Sequence, residues 1–198
     1  MEVKVVDKRD INEIVRIHID AFKGFFLTEL GKTFLKKYYS SVLYHPDGIL
    51  LGCFENGKII GFCAATKLSR GFNTRLVKAN FLKFSFEGIR LFFTRPSALI
   101  RLVKNFTKSD ETNKDNGEYS ELLSIGVSVT AQGGGVGKKL ITELENYLKD
   151  MGAEKLSLTT DFENNEKAVG FYTRMGYNVM YDFIAYPDRH MYRMIKNL

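Results

Sequence analysis

The sequence predicts a single domain of the α/β (α+β) class over residues 1–198. This length suffices for one full hydrophobic core, whereas two domains would be cramped. Asn56-Gly57 separates two apolar runs, which is the strongest short signal for an antiparallel hairpin. In the last third, strand-like runs alternate with amphipathic helical runs, which favours strands covered by helices.

The first third predicts a strand, two helices and the hairpin. Residues 3–6 form a short β-rich run, and the acidic stretch Asp10–Glu13 is typical of a helix that begins with a capping box. Aromatic and aliphatic residues at helical spacing predict a second helix over 27–43. The strands of the hairpin are predicted over 49–55 and 58–66.

Residues 67–117 differ in composition from the rest of the chain. Between Lys67 and Lys108 there are ten Lys or Arg against Glu87 alone, a balance of 10 − 1 = +9 in a chain whose total is +6. Two amphipathic helices are predicted, broken near Arg95-Pro96, and residues 107–117 are predicted to form a loop. The apolar faces of these helices are Leu82, Phe86, Ile89 and Phe93, then Leu99, Leu102, Val103 and Phe106.

The last third predicts strand, turn, helix, strand, helix and two closing strands. The expected ranges are 121–127, 132–137, 138–151, 155–160, 165–175, 177–186 and 191–196. Gly152 and Gly176 follow the two helices and are typical helix-ending residues.

The turn at 132–137 joins a strand to a helix and is rich in glycine. Free N–H groups of the first helical turn attract an anion, and glycine lets a phosphate approach the amides closely. A Walker loop does not fit, because Gln132 and Lys139 stand where it needs glycine and Ser or Thr. The dinucleotide pattern does not fit either, because Lys138 or Leu140 stands at its closing glycine. The turn therefore predicts a phosphate site of another kind.

The run Gln132-Gly133-Gly134-Gly135-Val136-Gly137 resembles the Q/R-x-x-G-x-G/A signature of the GNAT superfamily of acyl-CoA N-acyltransferases. The preceding strand, which ends at Val127, lies at the family's spacing. Residues 165–172 and the later Met175-Gly176-Tyr177 are similar to the family's N-x-x-A-x-x-F-Y and G-F/Y stretch. The resemblance is close over 118–198 and extends to the element order of 3–66, while the helical insertion 67–117 replaces a short connection.

This resemblance implies a mixed, mostly antiparallel sheet with helices on both faces, splayed between strands 121–127 and 155–160. The pantetheine arm of acetyl-CoA, the co-substrate, would lie in that gap and bond the backbone of Ile125 and Val127. Asn165 would bond the pantetheine as well, or else cap the helix that it begins. No metal is implied. The pyrophosphate would be held by the amides of Gln132, Gly133, Gly134, Gly135, Val136, Gly137 and Lys138.

The resemblance also assigns catalytic roles. Tyr172 matches the family's tyrosine that faces the CoA sulfur and can donate a hydrogen bond or proton to the thiolate. Glu121 is the expected base, because strand alternation places it on the face of Leu123, Ile125 and Val127. Glu118 or Tyr119 is an alternative. His18 lies on an apolar helix face, where a packed histidine competes with a role in the acceptor site.

The expected function is transfer of an acetyl group from acetyl-CoA to a primary amine of a small-molecule or peptide acceptor, by direct attack in a ternary complex. The acceptor is not identified by the sequence, and the insertion could select an anionic one, pack as plain structure or contact a membrane. The alternatives are a non-catalytic acyl-CoA sensor, or a module that binds a membrane or nucleic acid through the basic segment 67–108. A homodimer is also left open.

Features at the chain's start and its cysteines suggest a cytoplasmic protein. Met1-Glu2-Val3-Lys4 is not followed by an apolar run, so no signal peptide is predicted. No stretch of about 18 apolar residues occurs that would span a bilayer. Cys53 and Cys63 have neither metal spacing nor a disulfide framework, and they are predicted to be buried, inert thiols.

Overall fold

The computed structural model describes residues 1–107 and 115–198 and shows seven strands and eight α-helices in this part of the chain. The strands are β1 (Glu2–Val5), β2 (Gly48–Glu55), β3 (Lys58–Thr66), β4 (Ser120–Val127), β5 (Lys155–Asp161), β6 (Asn178–Ala185) and β7 (Arg189–Asn197). The helices are α1 (Ile11–Ala21), α2 (Phe26–Glu29), α3 (Lys32–Tyr44), α4 (Phe72–Ala79), α5 (Phe81–Thr94), α6 (Pro96–Thr107), α7 (Val136–Asp150) and α8 (Glu166–Arg174).

All strands form one mixed sheet in the order β1-β2-β3-β4-β5-β7-β6. Every neighbouring pair is antiparallel except β4 and β5, which are parallel. The predicted hairpin is confirmed. Asn56 (φ 49°) and Gly57 (φ 74°) both adopt the left-handed conformation that a two-residue turn between twisted strands requires.

Two apolar clusters cover the two faces of the sheet, as predicted. On one face, α1 and α3 pack on the sheet with Ile14, Leu35 and Tyr39 fully buried. On the other face, α7 contributes Leu140, Ile141, Leu144 and Leu148, and α8 adds Tyr172. Cys53 and Cys63 are buried free thiols, and burial raises the pKa of Cys63 to about 12, so this thiol stays protonated.

Three predictions about helix boundaries were wrong in detail. The capping box involves Asp7 and Asp10 around a short 3₁₀ turn, so Asp10 makes no side-chain cap on α1. The helix expected over 27–43 is divided into α2 and α3, because Gly31 has a φ of 89°. Helix α7 begins at Val136 rather than at residue 138.

The insertion contains three helices, α4 to α6, where two were expected. The break at Arg95-Pro96 is confirmed, since α5 ends at Thr94 and α6 begins at Pro96. Residues 108–114, which belong to the predicted loop, lie outside the described residues. Among residues 1–107 and 115–198, no helix combines the length and the hydropathy needed to cross a bilayer.

Helix α5 does not pack its predicted apolar face on the domain, which was one of the three options left open for the insertion. The buried side chains are Glu87 and Leu91, with Phe84 partly buried against the core. Glu87 is 1% exposed and forms ion pairs with Lys37 of α3 (2.7 Å) and Arg90 (2.7 Å). The predicted apolar face points to solvent instead, with Leu82, Phe86, Ile89 and Phe93 all exposed.

Candidate active site

The parallel strands β4 and β5 separate along their length and leave a gap. Ser120–Leu122 of β4 pair with Leu156–Leu158 of β5. Beyond these residues the two strands are not paired, although β4 continues to Val127 and β5 to Asp161. Beyond Leu122, the edge of β4 that faces β5 therefore has backbone groups without a pairing strand. Such an edge can bond an extended ligand as an added strand would. The predicted splay of the sheet is confirmed.

A cavity of about 420 Å³ lies in this gap. Its walls come from both splayed strands, from α8 and from the segment around α2. The lining includes Leu122, Leu123, Ser124, Ile125, Leu158, Thr159, Thr160, Asp161, Asn165, Ala168, Tyr172, His18, Phe25 and Phe26. We call it the gap cavity.

The glycine-rich turn lies between β4 and α7, as predicted. Gly133 (φ 80°) and Gly135 (φ 78°) have left-handed backbones that a side chain would strain. No atom lies within 4 Å of a β-carbon built on either residue, so these glycines leave open space in front of the turn. The first turn of α7 leaves its N–H groups without intrahelical partners, and Lys139 is the first to bond back, to the Gly135 carbonyl at 3.0 Å. An anion could bind here.

A β-bulge in β4 changes which side chains share a face, so the alternation argument for Glu121 was wrong. Ala64 pairs with Ser124 but Ala65 pairs with Leu122, which leaves Leu123 as the extra residue. Glu121 and Leu123 consequently face α3 to α5, whereas Ile125 and Val127 pack on the α7 side. The bulge lies where the two strands begin to separate.

Glu121 lies at the base of a second cavity, of about 830 Å³, between the sheet and the insertion. We call it the insertion cavity. One oxygen of Glu121 accepts a hydrogen bond from Ser69 Oγ at 2.5 Å, and the other pairs with Arg193 Nη1 at 2.5 Å. Around this polar base the walls are mainly apolar, with Phe26, Leu27, Phe34, Leu76, Phe81, Phe84, Leu91, Leu99 and Leu102. Phe26, Leu27, Leu123 and Thr159 line both cavities, so the two are neighbours.

Tyr172 and Asn165 both lie in the gap cavity. Tyr172 is almost fully buried, and burial raises the pKa of its hydroxyl to about 12, so the hydroxyl keeps its proton at neutral pH. Asn165 makes no side-chain cap on α8. Its amide donates instead to Thr160 Oγ1 (2.6 Å) and to the Asp161 carbonyl (3.1 Å), which ties the start of α8 to the end of β5.

His18 is packed and also borders the gap cavity. Its ring is 2% exposed and lies against Phe22 and Phe62. His18 Nδ1 is 2.6 Å from the Tyr39 hydroxyl, which is 3.0 Å from Ser124 Oγ at the bulge. Burial lowers the pKa of His18 to about 4, so the ring is neutral near pH 7.

The two alternatives to Glu121 are poorly placed as bases. Glu118 is on the surface, where it contacts Arg70. Tyr119 is buried and donates its hydroxyl to Asp115. Burial and this carboxylate raise the pKa of Tyr119 far above its ordinary value, so it holds its proton. Arg193 was not among the site residues predicted from the sequence, although it stands between the apolar residues Tyr192 and Met194 of a predicted strand.

The arginines of the insertion hold helices together. Arg90 pairs with Glu87, Arg95 donates to the Glu29 carbonyl, and Arg101 lies 3.4 Å from the Glu29 carboxylate. Within the described residues, none of these three arginines lines either cavity. The geometry therefore gives no support to the expectation that they select an anionic acceptor.

Comparison with known families decides the class of protein. The model of the acetyltransferase (GNAT) family matches residues 11–177, which include β4, β5 and the glycine-rich turn. The chain belongs to the GNAT acetyltransferase family. It is thus an enzyme of a family that uses acetyl-CoA, and the resemblance seen in the glycine-rich turn is confirmed.

Individual GNAT relatives are distant. The mycothiol acetyltransferase of Pseudarthrobacter chlorophenolicus is 34% identical over 73 residues, which are 37% of this chain and only 22% of that protein. The ribosomal-protein-S18-alanine N-acetyltransferase of Escherichia coli has a similar fold, with a TM-score of 0.64 and 14% identity over 99% of this chain and 92% of the other. The PaiA N-acetyltransferase of Thermoplasma acidophilum, solved with coenzyme A, has a TM-score of 0.60 and 14% identity. The match covers 100% of this chain and 98% of the other.

Proposed function

We propose that this GNAT enzyme transfers the acetyl group of acetyl-CoA to a primary amine by direct attack in a ternary complex, with residues 1–198 acting as one catalytic domain. The observation that carries the proposal is the gap between β4 and β5, with the glycine-rich turn following the unpaired end of β4 along the chain. A pantetheine arm in the gap would bond the β4 backbone at Ile125 and Val127 and the side chain of Asn165. The pyrophosphate would bind the amides from Gln132 to Lys138.

The transfer step needs groups that polarise the thioester and receive the departing sulfur. A backbone N–H near Val127 would polarise the carbonyl oxygen. The amine nitrogen attacks the carbonyl carbon, the C–S bond breaks, and the thiolate takes a hydrogen bond or proton from Tyr172. Because its pKa is raised to about 12, the Tyr172 hydroxyl is protonated when the thiolate leaves and can donate a hydrogen bond to the sulfur.

Glu121 is proposed to accept the amine proton. Its carboxylate faces the insertion cavity, while Tyr172 faces the gap cavity, so the amine would attack from the insertion side. Both carboxylate oxygens already accept hydrogen bonds, and Ser69 or a water molecule would therefore relay the proton. The ion pair with Arg193 fixes the position of the Glu121 carboxylate.

The acceptor is proposed to enter through the insertion cavity. Its apolar walls favour an amine attached to an apolar or aromatic group, and its polar base at Glu121 and Arg193 would receive the amine end. One fold relative supports a peptide amine, since it is named for acetylation of a ribosomal-protein alanine. An amine library of peptides and small amines, read by release of free thiol, would identify the acceptor.

The proposed cofactor site is tested by replacing Gly135 with Asp. The substitution strains a backbone of φ 78° and puts a negative charge where the pyrophosphate would bind. Calorimetry should then show a loss of CoA affinity of about 100-fold or more, equivalent to about 3 kcal/mol. Gly152→Asp is a matched control, because Gly152 has the same φ at the other end of α7. Unchanged CoA affinity in a folded Gly135→Asp protein would refute the assignment of the turn.

A further inference from the structure

Helix α5 presents a continuous row of large apolar side chains to solvent. These residues, which we call the apolar ridge, are between 61% and 82% exposed: Phe81, Leu82, Phe86, Ile89, Phe92 and Phe93. At about 100° per residue, Leu82, Phe86, Ile89 and Phe93 fall within an arc of about 60°. An exposed patch of this kind marks a site of interaction, because scattered single apolar residues would not line up on one helix face.

The side chains flanking the apolar ridge are cationic. Lys83 and Arg90 follow one edge of the ridge on α5, and the Lys37 ammonium lies 5.5 Å from the centre of the Phe86 ring. Lys78 on α4 is exposed nearby along the chain. The single acid of the segment 67–108, Glu87, is buried and neutralised by Lys37 and Arg90. Positively charged side chains therefore surround the apolar ridge, and segment 67–108 contributes no exposed carboxylate beside them.

This charge pattern decides between the occupants that could cover the ridge. A second copy of the same face would bring cations towards cations, with no acid from this segment to meet them. Residues 108–114 contain no Phe, Leu, Ile, Val or Met that could cover it from within the chain. Nucleic acid would use the cations but would leave the aliphatic side chains of the ridge without a partner. A surface that is both anionic and apolar satisfies both features.

We propose that the apolar ridge inserts into the interface of a bilayer that contains anionic phospholipids, with the flanking lysines on the headgroups. Interfacial helices bind in this way, by burying an apolar face at the acyl boundary while Lys and Arg contact the phosphates. Phe81 belongs to the ridge and also lines the insertion cavity. An enzyme bound through α5 would therefore have the mouth of that cavity close to the membrane surface.

Vesicle flotation of the full chain tests the proposal without any acceptor. The protein should float with mixed phosphatidylcholine–phosphatidylglycerol vesicles and bind vesicles of phosphatidylcholine alone about tenfold or more weakly. Combined Leu82→Gln, Phe86→Gln and Phe93→Gln should lower the partition coefficient on mixed vesicles by about tenfold or more. Lys78→Glu with Lys83→Glu should also weaken binding, and raising the salt concentration should do the same to the wild type.

The matched control replaces three exposed apolar residues elsewhere, Met151, Val179 and Met180, with Gln. This variant should float like the wild type. The proposal is overturned if the wild type does not bind mixed vesicles, or if the ridge variant binds them as well as the control does. It is also overturned if sedimentation shows a dimer that the ridge variant dissociates, or if an oligonucleotide binds in place of vesicles. CoA affinity is measured in parallel, so failure here is distinct from failure of the proposed transferase site.

Discussion

Tyr172 and Glu121 occupy neighbouring cavities on opposite sides of β4, and their environments suit opposite tasks. Tyr172 is buried among apolar groups, which keeps its hydroxyl protonated. Glu121 is held between Ser69 and Arg193, which orients its carboxylate. Acyl transfer to an amine requires a hydrogen-bond donor for the leaving thiolate and a proton acceptor for the amine, and these two groups lie on either side of one strand.

Tyr172→Phe should lower turnover by about 10²-fold or more while leaving acetyl-CoA affinity nearly unchanged. The substitution removes the hydroxyl that would protonate the thiolate and preserves the aromatic packing. Steady-state rates with an accepted amine and calorimetry with CoA would measure the two quantities. Tyr147→Phe on the outer side of α7 is the control and should be silent. A proportional loss of both rate and affinity would argue for a binding role instead.

Glu121→Gln should lower turnover most near neutral pH and progressively less at high pH. At neutral pH the acceptor amine is protonated and needs a base, whereas at high pH it is already neutral. A pH–rate profile compares the variant with wild type and with Glu118→Gln, the surface neighbour that should behave as wild type. A loss of equal size at every pH would show that Glu121 acts through Arg193 on structure alone.

At the scale of elements, α5 contacts the domain through the buried acid Glu87 as well as through Leu91 and Phe84. Burial acts to raise the pKa of Glu87, but hydrogen bonds from Lys37 and Arg90 outweigh it and hold the pKa below its ordinary value. The stabilisation from this group is therefore present above the unfolded pKa, near 4.5, and is lost as pH falls through the lower folded value.

Glu87→Ala should destabilise the protein by about 2 kcal/mol or more, because it leaves two half-buried cations without their partner. Urea unfolding measures the loss at neutral pH. Hydrogen exchange should show that the substitution accelerates amide exchange in α5 more than in α7, relative to the wild type. Glu163→Ala, at an exposed loop position, should change stability by less than about 0.5 kcal/mol. Equal exchange rates in α5 of the variant and the wild type would contradict the anchoring role.

For the whole molecule, the buried His18 makes folding stability depend on pH. Its folded pKa, about 4, is below the ordinary 6.5, so the unfolded chain binds more protons between these values. The stability that a neutral, buried ring contributes is complete above pH 6.5 and declines as pH falls towards 4. This difference of about 2.5 pKa units amounts to roughly 3 kcal/mol.

Replacing His18 with Gln, which keeps a hydrogen-bonding group near Tyr39, should remove this part of the pH dependence. Urea unfolding at several pH values between 4 and 7 would compare the slopes of wild type and variant. Parallel slopes for His18→Gln and wild type would show that His18 is not the group responsible.

The sequence by itself determined the features that depend on neighbouring residues. The hairpin at Asn56-Gly57, the glycine-rich turn and the break at Pro96 follow from local backbone chemistry, and all three were predicted correctly. The family was identified from the same kind of local pattern, and the match over 11–177 confirms it.

Only the tertiary structure decided how distant residues meet. The bulge at Leu123 separates the face of Glu121 from that of Ile125, and strict alternation cannot reveal a bulge because it depends on the partner strand. Arg193 reaches Glu121 from β7, 72 positions away in the chain. Likewise, Glu87 of α5 is buried against Lys37 of α3 while the apolar ridge is exposed, and helix periodicity alone cannot reveal this orientation because the partner lies on another helix.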